Sequence, residues 1–281
     1  MAAGLLMGCL AVGWYLEHRL TAQVGRIPGA FAGLEGRPEK AASGAVDILL
    51  LGARPEASSA ADTQEWFPGL TAGASVMVVH LSADRLGASV ISIPTAAQMA
   101  IPGHGAGTLA DTFRMGGPAL TVGAVERETG VRIDHLAVVD WAAFEELAAQ
   151  HGGAETQPLP ARPERRRIRQ QHEVLRTVLD ASLQQEMRKY PWLLYDFLDT
   201  VTARLAVDEG WSPLQMGRLV VSLRNLRSAQ IRYLTAPTQG GGPALRLDPP
   251  ENAGLWQSVR EDRVDDWFAA HPEAGRSDTA P

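Results

Sequence analysis

Three short apolar runs restrict what this chain can become more than any other feature: Asp47-Ile-Leu-Leu-Leu-Gly52, Ser75-Val-Met-Val-Val-His80-Leu and Ala88-Ser-Val-Ile-Ser-Ile-Pro94. Each reads as a strand bounded by Gly, Pro or polar residues. Helical patterns alternate with them. Pro118 to Thr129 has Pro early and Gly130 to stop it, and Trp141 to Gln150 ends at Gly152-Gly153. Strands between helices predict an α/β layered domain with a buried sheet. Further helices are expected over Ile168–Leu183, Trp192–Leu205 and Pro213–Arg227. A strand Gln230–Leu234, a Gly240–Pro243 turn, a short strand and a last amphipathic helix near Asn252–Phe268 complete the pattern. No internal repeat is visible, which excludes solenoids and propellers.

With 281 residues, 45% of them hydrophobic and 21% charged, the chain can bury a large core and suits one sizeable domain. The net charge of -6 argues against nucleic-acid binding through phosphate neutralisation and gives no general attraction to anionic lipid heads. Arginines crowd around Arg162 to Arg169, but Glu164 and Glu173 dilute them and no aromatic platform accompanies them. A single Cys excludes an internal disulfide and any multi-cysteine metal site.

Met1 to Leu16 is apolar and is followed by Glu17, His18 and Arg19. At roughly 15 residues the run is short of the ~20 a spanning helix wants, and no basic residue precedes it. Residues 1–20 are read as a transmembrane anchor, truncated if its true start lies upstream. The rival readings are a buried or signal-type segment, or lipidation at Cys9, against which apolar residues continue past that position. Residues 21–45, rich in Gly, Pro and Ala, read as a linker, 46–270 as the folded domain, and 271–281 as a flexible tail.

Further motifs follow the three runs: Ile101-Pro-Gly-His-Gly105, Gly116-Gly-Pro118, Thr129-Gly-Val-Arg-Ile-Asp-His135, Val139-Asp140 and Arg166-Arg-Ile-Arg-Gln-Gln171. In this order and spacing, across roughly Val46 to Asp266, the chain resembles the LytR-CpsA-Psr family of cell-wall proteins. The resemblance implies a central mixed β-sheet covered by helices on both faces, preceded by an N-terminal membrane helix. It also implies an apolar channel for a lipid tail and a single-pass protein of the cell membrane with its domain on the extracytoplasmic side. Family members resemble Mg²⁺-assisted phosphotransferases that move a glycopolymer from a polyprenyl-pyrophosphate carrier onto peptidoglycan. Such chemistry needs cationic forks for the pyrophosphate and carboxylates for the metal.

Here the chain departs from the family pattern. Gly-Ser-Asp-Ser-Arg becomes Gly52-Ala-Arg-Pro-Glu56, so the metal-binding Asp falls on Arg54. Arg-Ser-Asp-Thr-Met becomes Ala72-Gly-Ala-Ser-Val76, and Ser-Ile-Pro-Arg-Asp becomes Ser92-Ile-Pro-Thr-Ala96. Thr108 and Ala110 stand where Lys and Asn are expected, and a long family segment shrinks to a Pro-rich connection between Gly153 and Arg166. Each lost donor to a charged transition state typically costs about 10²- to 10³-fold in rate. Mg²⁺ thus enters by the resemblance only, and the Asp ligands it needs are absent.

The surviving candidates for phosphate binding are Arg166, Arg169 and Gln170. Arg166 and Gln170 share a helix face opposite a buried stripe of Ile168, Leu175 and Leu179, with Arg169 on the flank. The bland alternative is a solvated basic helix start. Candidate replacement charges are Arg54, Glu56 and Arg114, the last read as surface. His80, His104 and His135 are read as hydrogen-bonded or turn framework, and Asp134 and Asp140 as helix caps. Ser75 and Ser92 show no partnered base in the sequence, and Trp192, Trp211, Trp256 and Trp267 are read as core anchors. The expected function is a catalytically impaired member that binds polyprenyl-phosphate lipid or partners an active relative. The alternative is an active Mg-dependent glycopolymer-peptidoglycan phosphotransferase with a rearranged site, and a decayed duplicate is the third reading.

Overall fold

The computed structural model describes residues 24–53, 75–150, 164–183 and 204–272, together with Thr202 and Ala274. In chain order the strands and helices begin with β1 (Gly25–Ile27), β2 (Val46–Ala53), β3 (Ser75–Leu81), β4 (Ala88–Ile93), β5 (Gln98–Ile101) and β6 (Gly105–Thr108). Next come α1 (Leu109–Thr129), β7 (His135–Asp140), α2 (Trp141–Gln150), α3 (Glu164–Leu183), β8 (Leu205–Asp208) and α4 (Pro213–Ser222). The chain closes with β9 (Ile231–Thr235), β10 (Thr238–Gln239), β11 (Arg246–Leu247), α5 (Pro249–Arg260) and α6 (Val264–Ala270).

Seven strands form one mixed sheet in the order β1-β8-β7-β2-β3-β4-β9. The pairs β1–β8, β2–β7 and β4–β9 are parallel, while β7–β8, β2–β3 and β3–β4 are antiparallel. The apolar runs are continuous because both sheet faces are covered, so alternate side chains enter different cores. Leu49, Leu51, Val76, Val78, Ile91 and Ile93 join α1, α5 and α6 residues on one face. Ile48, Met77, Val90, Ala137 and Val139 meet Trp141, Phe144 and Leu147 of α2 and Val174, Leu175 and Val178 of α3 on the other. Each fully buried aliphatic or aromatic side chain contributes about 1.5–3 kcal/mol. The mixed, two-sided sheet is the expected architecture. The expected N-terminal membrane helix lies outside the described residues, among which no helix is long and apolar enough to cross a membrane.

Several expectations are corrected. The segment read as a linker is, from Val24 on, part of the fold: β1 adds a strand beside β8, and Val24, Ile27 and Ala30 are buried. Gly25 opens β1, while Gly29, Gly33 and Gly36 bend the chain at positive φ, and composition alone could not tell such bends from a spacer. The helix expected over Pro118–Thr129 starts earlier, at Leu109, under a capping box of Thr108 and Asp111. It breaks at Gly116-Gly117, where φ 62° and ψ -150° at Gly117 suit glycine alone, and ends at αL Gly130. The helix expected over Pro213–Arg227 stops at Ser222 and tightens into one 3₁₀ turn at Leu223–Asn225. The last helix is two helices, broken at Asp262 with φ 55°. Most of the expected helix at Trp192–Leu205 lies outside the described residues, and Leu205 itself opens β8. His271, placed in the expected tail, stacks on Trp267 with centroids 4.4 Å apart, and residues 275–281 lie outside the described residues.

Candidate functional site

Four of the motif segments, ending at Gly52, Ser75, Ile93 and Asp140, meet at one end of the sheet, while Thr129–His135 enters at the other end beside Asp47. The register places Gly52 opposite Ser75, Ala53 opposite Asp140, Val76 opposite Ile93, and Ser92 opposite Thr235. Gly52 must be glycine for packing reasons: a Cβ there would lie 2.2 Å from Ser75 Oγ and 2.9 Å from a Trp141 ring carbon. Past the end of β4 come Pro94, Thr95 and Ala96, and the first turns of α3 pack beside them. Arg167 Nη2 donates to Thr95 Oγ1 at 3.2 Å, which joins two segments 72 residues apart.

Of the candidate phosphate ligands, Arg166 is exposed in that helix start, and Arg169 and Gln170 are half-buried. The Gln170 Oε1 atom is shielded from solvent and has no partner among the described residues. The buried stripe is wider than expected: Ile168, Gln171, His172, Leu175 and Val178 are buried, and Leu179 only partly. Arg114 is exposed and ion-paired with Asp111, three residues earlier. The same Asp111 caps α1, accepting from Thr108 N at 2.8 Å and Thr108 Oγ1 at 2.6 Å. Those hydrogen bonds hold its carboxyl below the ordinary range. Arg114 thus serves a surface pair worth about 0–1 kcal/mol. Arg54 and Glu56 lie outside the described residues.

Sequence reasoning overlooked Arg167 and His172. His172 Nε2 is 2.7 Å from Ser92 Oγ, and both residues are buried. Ser92 therefore has a histidine partner that the sequence did not reveal. Burial, helped by the Arg176 charge, pushes the His172 pKa down to about 4, so the ring is neutral near pH 7. The Tyr233 ring lies 5.5 Å away and carries Arg176 on its face at 5.2 Å, while burial raises its hydroxyl pKa. This arrangement is a polar fastener between α3 and β4, since Ser92 is too enclosed for a substrate to reach. The readable signal was a histidine four residues after Ile168, within the apolar stripe.

The remaining polar candidates are framework. Asp140 Oδ1 accepts from Ala143 N at 3.2 Å and caps α2 as expected. Asp134 caps no helix: it accepts from Asp47 N at 3.2 Å and from Lys40 Nζ at 2.5 Å, bridging strand and entry segment. His104 Nδ1 sits 3.0 Å from Pro102 O within its turn. His135 stacks on Trp211 at 4.2 Å, with Nδ1 3.2 Å from Asp208. Trp211, Trp256 and Trp267 are buried, and Trp192 lies outside the described residues. Among the described residues, no three histidine, cysteine or carboxylate side chains converge as a metal site.

Residues 31–158 match the LytR_cpsA_psr family. A curated relative, the probable cell wall biosynthesis protein LcpB of Corynebacterium glutamicum, is 34% identical over 85 residues. That match spans 30% of this chain and only 20% of the relative's length. The LytR-Csp2A-Psr enzyme from Actinomyces oris shares the fold with TM-score 0.57 at 16% identity, over 84% of this chain and 95% of that one. TagT bound to LI-WTA gives TM-score 0.55 at 17% identity, over 85% and 98%. Residues 31–158 thus carry the LytR_cpsA_psr sequence pattern, and the described sheet and helices share the fold of these solved structures.

Proposed function

We propose that this protein acts in cell-wall assembly as a membrane-anchored, extracytoplasmic member of its family. It holds a polyprenyl-phosphate lipid, alone or beside an active relative, without efficient phosphotransfer. One observation carries the reading: a cationic helix start packs against a strand end whose Arg and Asp have become Thr95 and Ala96. Arg166, Arg169 and the amide of Gln170 suit a phosphate, because guanidinium and amide donors grip anionic oxygens without a metal. The described carboxylate at this end of the sheet, Asp140, is committed to its cap and to Arg204 at 3.7 Å. These residues do not suit Mg²⁺, which is held by free carboxylates together with substrate phosphates. The wall-biosynthesis role of the C. glutamicum relative and the LI-WTA held by TagT support the same direction.

The test is lipid extraction from the full chain purified out of its native membrane, with polyprenyl phosphate read by mass spectrometry. Copurifying lipid is expected. Replacing Arg166 and Arg169 together with Ala should lower its occupancy at least tenfold, since each charged hydrogen bond contributes about 1.5–3 kcal/mol. An empty protein at native lipid levels rejects the proposal, and Mg²⁺-dependent turnover of a pyrophosphate lipid restores the enzyme reading in its place.

A further inference from the structure

At the end of the sheet opposite the site, β2 and β3 place Asp47 beside His80. Both are buried, and His80 Nδ1 lies 2.8 Å from Asp47 Oδ1. The other ring nitrogen, Nε2, lies 3.0 Å from Oδ1 of Asp262, in the turn between α5 and α6. The second Asp262 oxygen accepts from Ala83 N at 3.1 Å. Asp262 sits at φ 55°, a left-handed conformation that a non-glycine residue holds only when its surroundings require it.

An imidazole with a carboxylate at each nitrogen can satisfy both only as the cation. Neutral histidine has one N–H and one lone pair, so one contact becomes lone pair against lone pair. We infer that His80 is a pH-responsive tie that fastens the C-terminal helix pair to the sheet while its ring is doubly protonated and loosens the pair when it is not. The stakes are the apolar undersides of α5 and α6, where Leu255, Trp256, Val259, Val264, Trp267 and Phe268 close one face of the core. Arg260 adds one further tether, donating to Thr129 O at the end of α1 at 2.7 Å.

The charges around the ring favour the cation. Asp47 comes from β2, Asp262 from the helix turn, and Asp134, from the segment before β7, sits behind Asp47 and is paired with Lys40. Arg85, in the turn after β3, is engaged with the carbonyls of Leu81, Ser82 and Gly44, and Asp84 with Ser82. Glu261 and Arg263, flanking Asp262, pair with each other. Burial opposes charging of His80, but the hydrogen bonds and charges of Asp47 and Asp262 outweigh it and raise its pKa above 6.5. Burial also raises Asp47 above 3.8, with Asp134 and Asp262 adding to it and His80 opposing. Both shifts mean that the folded state binds more protons than the unfolded chain. The His80 contribution is complete below 6.5 and is lost as pH rises through its folded value.

Hydrogen exchange on the full chain tests the tie, read at the amides of residues 255–268 and corrected for intrinsic exchange rates. Protection should fall as pH rises from about 6 to about 9, by at most about tenfold per pH unit, the limit for one proton. Asp262→Asn should flatten this dependence, because an amide N–H can donate to the neutral ring nitrogen. A flat wild-type profile, or an Asp262→Asn profile that titrates like wild type, overturns the inference. Should that variant not fold, ring ¹⁵N shifts of His80 in the wild-type chain decide instead: both nitrogens mostly protonated at pH 6.5, where a free imidazole is half neutral, agree with the tie, and a mostly neutral ring there refutes it.

Discussion

Replacing Arg37 with Ala should cost far more than its place in a Gly- and Pro-rich segment suggests. Its guanidinium forks onto Glu126, with Nε 2.9 Å from Oε2 and Nη2 2.7 Å from Oε1. Nη2 also donates to Ile133 O at 2.7 Å, and the group lies 4.6 Å from the centre of the Phe31 ring. Glu126 is 2% exposed, and its remaining partner is Ile133 N at 2.8 Å. Removing the cation leaves a buried carboxylate without its countercharge, a loss of about 3–5 kcal/mol. That is a large share of the roughly 5–15 kcal/mol that holds a domain together. Lys40 supplies the control from the same segment: it pairs with Asp134 but is 58% exposed, so Lys40→Ala should cost under about 1 kcal/mol. Urea unfolding of the full chain measures both, as shifts in midpoint at unchanged slope. If Arg37→Ala cost no more than Lys40→Ala, residues 24–40 would be a surface spacer after all. Arg37→Met with Glu126→Leu should recover most of the loss, because the pair's attraction mainly offsets its own desolvation.

Two further perturbations probe the site and its supports. His172 carries a folded pKa of about 4 against 6.5, so its contribution is present above 6.5 and is lost as pH falls toward about 4. Over that window the loss should approach about 3 kcal/mol, and His172→Gln should flatten this acid limb of a stability-versus-pH curve; an unchanged limb would show that another group causes it. In the same region Ser92→Ala should cost about 1–3 kcal/mol by stranding the buried ring nitrogen. Gly117→Ala meets no atom within 4 Å yet should cost about 1–3 kcal/mol through backbone strain alone. A thermal midpoint within 1 °C or so of wild type would refute that account.

The elements that sequence reasoning recovered are those specified by neighbours along the chain. Val76 to Leu81 and Ala88 to Ile93 announced themselves as strands because a strand covered on both faces has no polar alternation to hide it. Gly130 and Asp140 marked helix ends through chemistry that acts within a few residues. The order of motifs also pointed to the family, and the convergence of Ser92–Ala96 with the start of α3 agrees with it.

What the one-dimensional pattern determined, then, was fold class, most element identities, and which charged positions of the family site are absent from the chain. Tertiary structure alone decided that residues 24–40 belong to the body, that Ser92 meets a histidine 80 residues away, and that His80 sits between carboxylates 33 and 182 residues distant. The reason is physical. Periodicity and capping are local and leave a trace in each segment, whereas a buried charge needs only one partner, and the chain can supply it from any distance.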